Sequence, residues 1–196
     1  MGYCDDELYH YGIKGMKWGI RRFQDKSGYL TAQGKKHNKE VDDIVKQRDS
    51  LKLKTKTKSG IDVIIDHNHT PAFTKFLARH STKVRNTLKN SKSFKIKVKD
   101  EIVGELDLYK ESPTSLNVVW VGISKKHEGR GYGTSVMKAV TEYAKSTGCK
   151  QVTLEVPGIS PNARHIYEKN GFKSTGETLG ERGDMWDGLT KMRLEL

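Results

Sequence analysis

Phe94, Ile96 and Val98 alternate with Lys95 and Lys97. A period of two predicts a strand with one apolar face and one wet lysine face, which Lys99 extends. Residues 102–109 predict its hairpin partner. The runs 61–65 and 116–123 are short and apolar, as in buried strands. Segments 151–156, 172–175 and 190–196 complete the strand set, the last two joined by a glycine- and acid-rich loop. Lys52, Lys54, Lys56 and Lys58 alternate with Leu53, Thr55 and Thr57, an extended basic segment.

Elsewhere the period lengthens to that of a helix. Thr31 is placed as an N-cap before a polar helix over 32–51, with Val41, Ile44 and Val45 as its apolar stripe. Thr70-Pro71 reads as a cap followed by proline, opening a helix over 72–88 with one break. Val136, Met137, Val140, Tyr143 and Ala144 form one face of a helix that runs to about Ser146. Ser160-Pro161 starts a last helix, and Asn170-Gly171 stops it. The order predicts an α+β fold with a mixed sheet and no internal repeat. Ser59-Gly60 marks the expected boundary between an extension, 1–59, and a domain, 60–196.

The 196 residues suffice for one core-forming domain plus an extension. Only 34% of them are hydrophobic and 31% are charged, so part of the chain is expected not to pack. No apolar run approaches the ~20 residues of a membrane span. The N-terminus lacks the basic and apolar regions of a secretory signal. Cys4 and Cys149 are far apart and read as free thiols of a reducing cytoplasm, Cys149 as a small core residue. The net charge of +12 favours anionic partners, either a phosphorylated cofactor or, less directly, nucleic acid. Half of it lies in residues 1–60, with 14 basic and 8 acidic groups. His67-Asn68-His69 lacks further ligands at metal spacing and reads as a turn, so no metal site is expected.

Glu128-Gly129-Arg130-Gly131-Tyr132-Gly133-Thr134 follows an apolar strand and opens a helix. Glycines let backbone approach a ligand closely, and the first N–H groups of a helix have no internal partners, so this element can seat a phosphate. Alone it also reads as a plain strand–helix turn. Downstream stands Ser160-Pro161-Asn162-Ala163-Arg164-His165-Ile166-Tyr167-Glu168-Lys169-Asn170-Gly171-Phe172. The two motifs, in this order and separated by one helix and one strand, resemble the GNAT family of N-acetyltransferases over about 60–196. The first matches Q/R-x-x-G-x-G/A and the second is close to N-x-x-A-x-x-x-Y-E-K-x-G-F.

That resemblance implies a mixed, mostly antiparallel sheet flanked by helices, and acetyl-CoA as co-substrate. It assigns the pyrophosphate to Glu128, Gly129, Arg130, Gly131, Tyr132, Gly133 and Thr134, chiefly through backbone N–H groups. Backbone near Val121, Gly122 and Ile123 would receive the pantetheine arm and thioester, and Ser160 or Asn162 would complete the site. Tyr167 falls on the family's general acid, although as a residue it also reads as a core aromatic. A primary amine on a protein or small molecule would attack the thioester directly. Three departures stand out. Glu128 replaces a Gln or Arg and would repel phosphate unless turned away. Ser160 replaces an Asn. Val119 occupies the place of a strand glutamate base, leaving Glu105, Asp107 or a water chain.

Residues 6–31, with the core G-I-K-G-M-K-W-G, resemble a short segment of head-associated proteins of phages of Gram-positive bacteria. This implies a phage-encoded protein, cytoplasmic in the host or virion-associated. The clustered aromatics suggest docking on a phage-particle or host protein. Two other functions stay open: a non-catalytic CoA-binding or interaction protein, and acetylation of a charged RNA. The acceptor itself is expected to be set by loops 70–91 and 176–188. There the acidic residues Glu177, Glu181, Asp184 and Asp187 read either as a cation lure or as a solvated loop.

Overall fold

The computed structural model describes residues 23–180, 183 and 188–196. The aromatic and glycine-rich stretch through Arg22, and the acidic residues Glu181, Asp184 and Asp187, lie outside them.

Helix α1 (Ala32–Asp49) begins at Thr31, whose hydroxyl accepts from the Gly34 N–H at 3.2 Å. Its stripe of Val41, Ile44 and Val45 is buried with Ala78 and Leu88 in a small core shared with α2 (Ala72–His80) and α3 (Thr82–Asn90). The helix expected over 72–88 is therefore two. Ser81 turns extended (φ −128°, ψ 119°) and accepts from the Val84 N–H, which caps α3 and ends α2. The start of α2 also differs from expectation. Pro71 occupies the cap position, and the Thr70 hydroxyl donates to Asp49 at 2.7 Å instead of capping.

Eight strands form one sheet in the order β1-β2-β3-β4-β5-β6-β8-β7. They are β1 (Lys52–Lys56), β2 (Asp62–His67), β3 (Ser91–Val98), β4 (Glu101–Ser112), β5 (Ser115–Ile123), β6 (Gln151–Pro157), β7 (Lys173–Leu179) and β8 (Leu189–Glu195). The basic segment 52–56 is thus an outer strand of the main sheet, and Ser59-Gly60 lies in the hairpin turn joining it to β2. Every pairing is antiparallel except β5 with β6.

Pairing sorts side chains by face. Leu53, Ile65, Ile96, Gly104 and Ile123 form one cross-strand row on the apolar face. Helix α4 (Tyr132–Ser146) lies on this face and buries Val136, Met137 and Val140 in the main core. Ala163 and Tyr167 of α5 (Pro161–Lys169) pack on the same core. The adjacent row on the opposite face is Lys52, Asp66, Lys95, Glu105 and Gly122. Asp66 binds Lys52 at 3.1 Å and Lys97 at 2.9 Å, so the face alternates in sign. The wet lysine face is in part an ion-pair lattice, and Lys99 leaves it for the β3–β4 turn at φ 49°.

Candidate functional site

Two breaks in β5 create the site. Leu108 pairs with Val118 and Asp107 with Trp120, so Val119 has no partner on β4 and bulges. The parallel pairing with β6 also stops there, at Val118 with Leu154. Beyond this point residues 120–123 pair only with β4, while Glu155, Val156 and Pro157 pair only with β8. The sheet is split, and both strands present unpaired backbone to the gap. Val121, Gly122 and Ile123 line this edge, half-buried.

Close approach of β4 to β5 depends on Gly104. A Cβ there would overlap the Gly122 carbonyl oxygen, so no larger residue fits without parting the strands. Just past β5, one turn of 3-10 helix (Lys125–His127) leads to Glu128, Gly129, Arg130 and Gly131. Gly129 and Gly131 have φ of 72° and 80°, values that favour glycine. Nothing lies within 4 Å of the Cβ that either would carry, so the cradle is open. The first full turn of α4 closes from the Ser135 N–H to the Gly131 carbonyl at 3.1 Å. The N–H groups of Tyr132, Gly133 and Thr134 therefore have no partner one turn back, and they point out of the helix start. Tyr132 gives only backbone to this cradle, because its ring is buried in the core.

Glu101, absent from the sequence expectations, holds the turn. Its carboxylate receives the Lys126 ammonium and lies 3.3 Å from Nε2 of buried His127. The Lys126 hydrogen bond holds the Glu101 carboxyl below its ordinary range. Arg130 donates to the Lys126 carbonyl at 3.3 Å, and Glu128 is exposed.

The second motif docks on the first. Ile166 reaches to 3.9 Å from the position a Gly133 Cβ would take, which sets α5 against the first turn of α4. The adjacent Tyr167 ring packs 6.0 Å from Phe172, centroid to centroid. Burial raises its phenol above the ordinary value, so it stays protonated. Ser160 stands at the N-cap of α5 but its side chain makes no capping bond, and Asn162 is exposed in the first turn.

Glu105 and Asp107 lie on the polar face, away from Tyr167, as cross-strand partners of Gly122 and Trp120. The Trp120 indole is folded over Gly122, its Nε1 3.1 Å from where a Cβ would be. An indole 53% exposed beside two carboxylates is a surface suited to an ammonium group. Sequence periodicity hides this, because the bulge at Val119 breaks the alternation that would have placed Trp120 on a face. Tyr167, packed on the main core, and the carboxylates of Glu105 and Asp107 thus belong to opposite faces of the sheet. Among the described residues no group of His, Cys, Asp and Glu is arranged to hold a metal ion. None of the described helices is long and apolar enough to cross a membrane.

Comparison with known proteins bears on the family and the fold. The model of the acetyltransferase (GNAT) family matches residues 64–172, more than half of the chain. Residues 1–25 match a family of unknown function (DUF7211). The uncharacterized N-acetyltransferase YycN of Bacillus subtilis is 28% identical over 93 residues, 46% of this chain. The chain spans about three fifths of that curated relative, 59% of its length. A GNAT family acetyltransferase from Elizabethkingia anophelis, solved with acetyl-CoA bound, superposes with a TM-score of 0.52 at 21% identity, over 68% of this chain and 98% of that one. Spermidine N-acetyltransferase from Vibrio cholerae, solved with CoA and spermine, gives 0.50 at 16% identity, over 65% and 78%. These two show the fold. By the family match, the chain belongs to the GNAT acetyltransferase family.

Proposed function

We propose that the protein is an acetyl-CoA-dependent N-acetyltransferase acting on a cationic primary amine. One observation carries the reading: the split between β5 and β6 opens beside a glycine turn whose helix N–H groups are free. Gly129 through Thr134 would hold the pyrophosphate with backbone donors, aided by the partial positive charge of the α4 N-terminus. The unpaired edge at Val121, Gly122 and Ile123 would pair with the pantetheine arm as a neighbouring strand does. Glu128, exposed on the preceding turn, would turn to solvent and leave the phosphates to these donors. Ser160 and Asn162, in the turn that opens α5, would close the far side of the cofactor seat.

On the polar face, Trp120 and Asp107 would receive the acceptor as an ammonium. Glu105, directly or through water, would take its proton so that the neutral amine attacks the thioester. Tyr167, kept as a phenol by burial, would give its proton to the departing thiolate. The acceptor is then a polyamine, a lysine or an N-terminal amine. The N-terminal segment, with its phage-head resemblance, would dock the enzyme on a particle or host protein, and deletion of residues 1–22 would abolish that docking but leave turnover intact.

The test is release of free thiol from acetyl-CoA with spermidine and with a lysine peptide. Tyr167→Phe keeps the ring packed on Phe172 and should lower kcat by about 10²-fold or more. Normal turnover by that variant removes Tyr167 from the mechanism. CoA binding without turnover on any amine favours a non-catalytic CoA-binding protein.

A further inference from the structure

A cavity of about 230 Å³ lies where β2 ends, among α1, α2 and α3. It belongs to neither the split nor the glycine turn. Arg48, His67, His69, Thr74, Ser91 and Ser93 are among its walls. Its volume is roughly eight times the share of one water molecule in the liquid, enough for a small oxyanion with solvent.

The walls carry donors that the fold leaves unused. Arg48 is more than nine-tenths buried, with only 8% of its surface exposed. Its Nη1 donates to the Leu88 and Ser91 carbonyls, which ties α1 to the end of α3. Its Nε has no hydrogen-bond partner among the described residues. The Asn68 backbone lies near enough to the His67 ring to raise its pKa, but neither ring nitrogen completes a hydrogen bond among the described residues, although both are shielded from solvent. Leaving such groups unmatched is costly to a fold. Thr70, Pro71 and Thr74 bring the start of α2 to the cavity. There the first turn closes only at the Lys75 N–H, bonded to Pro71 at 3.1 Å, so the N–H groups ahead of it are free. Half-buried Lys92 lies close enough to lower the pKa of His67, and its own pKa is lowered by burial and by Arg48. The Asp49 carboxylate, which meets the cavity walls Thr70 and His69, already accepts from Thr70 twice and lies 2.9 Å from the His69 ring.

Buried guanidinium, imidazole and helix N-terminus converge with surplus positive charge. We propose that this cavity is a second ligand site, distinct from the acetyl-CoA seat, that takes a phosphate-type oxyanion. Arg48 Nε, His67 and the α2 N–H groups would supply the donors. Binding would protonate His67, because burial and Arg48 hold the empty ring neutral.

The experiment titrates inorganic phosphate, against chloride at matched ionic strength, into the full chain. Thermal unfolding and the NMR signal of the His67 ring are followed. A Gly131→Ala background weakens phosphate binding at the glycine turn, so that the turn contributes little to the readout. Saturable binding should raise Tm by about 3–6 °C at tenfold Kd and raise the His67 pKa. Thr74→Asp, which places a carboxylate at the cavity on a partly exposed helix position, should weaken phosphate binding at least tenfold while leaving Tm in chloride within about 2 °C. His67→Phe, which preserves the ring against Phe94 (5.2 Å between centroids), should do the same. Phosphate as bare anion and as the group of a phosphorylated metabolite are separated by repeating the titration with glucose 6-phosphate: tighter binding of the ester identifies a metabolite site, equal binding an inorganic one. A His67 signal indifferent to phosphate, or undiminished binding by Thr74→Asp, overturns the proposal.

Discussion

Gly131→Ala separates the chemistry of the glycine turn from its contribution to folding. Gly131 has φ of 80°, and no atom lies within 4 Å of an added Cβ. The folded state therefore meets only backbone strain, roughly 1–2 kcal/mol for an L-residue in the left-handed region. In a chain of this size that lowers Tm by about 2–8 °C. Gly60 supplies the control. Its φ is 82°, its Cβ would also meet nothing within 4 Å, and it sits in the β1–β2 turn away from the split sheet. Gly60→Ala should cost the same in Tm. The two variants should part in binding. A methyl at Gly131 stands in the space through which phosphate oxygens would approach the α4 N–H groups. Loss of one charge-assisted hydrogen bond is worth roughly 1.5–3 kcal/mol, about 10- to 150-fold in affinity. The assay is isothermal titration with acetyl-CoA alongside differential scanning calorimetry. If both variants bind acetyl-CoA like the parent protein, or both lose it equally, the turn is not the pyrophosphate seat.

Trp120→Ala should raise KM for spermidine about 2- to 30-fold, the range of an exposed to partly desolvated cation–π contact, with the KM of acetyl-CoA unmoved; an equal effect on both substrates places Trp120 in the fold instead of the acceptor surface. Gly104→Ala forces a methyl onto the Gly122 carbonyl and should cost roughly 3 kcal/mol, the upper end of overpacking, read as a Tm drop of about 6–12 °C; a silent substitution would mean that β4 and β5 part freely. Burial acts to raise the Asp66 pKa, but hydrogen bonds from Lys97 and Lys52 outweigh it and hold the carboxyl below its ordinary value. Its stabilising contribution is complete above the unfolded pKa near 4 and is lost as pH falls through the lower folded value. Asp66→Asn should therefore lower Tm at pH 7, and the gap to the parent protein should close in strong acid; a gap that persists at pH 2 refutes the ion-pair account.

Local rules reach far into this chain. Val41, Ile44 and Val45 sit at helical spacing, Phe94, Ile96 and Val98 at strand spacing, and each set is buried on one face as its period demands. The glycine turn and the Ser160–Phe172 motif are contiguous, so their chemistry is written in neighbouring letters. Other features depend on partners distant in sequence. Arg48 finds its carbonyls at Leu88 and Ser91. Glu101 meets Lys126 and His127 only because β4 begins beside the end of β5. Thr70, a good cap by sequence, is drawn to Asp49 because α1 ends within hydrogen-bond reach.

By itself, then, the sequence determined the elements, the apolar face of each and the two motifs, because propensity, periodicity and turn chemistry act over a few residues. The tertiary structure decided which strands pair, where Val119 bulges, and where β5 parts from β6. It also set Tyr167 on the core face and the Trp120, Asp107 and Glu105 cluster on the other face of the sheet. Register and bulges are settled by packing over the whole sheet, where a shift of one residue sends a side chain to the other face.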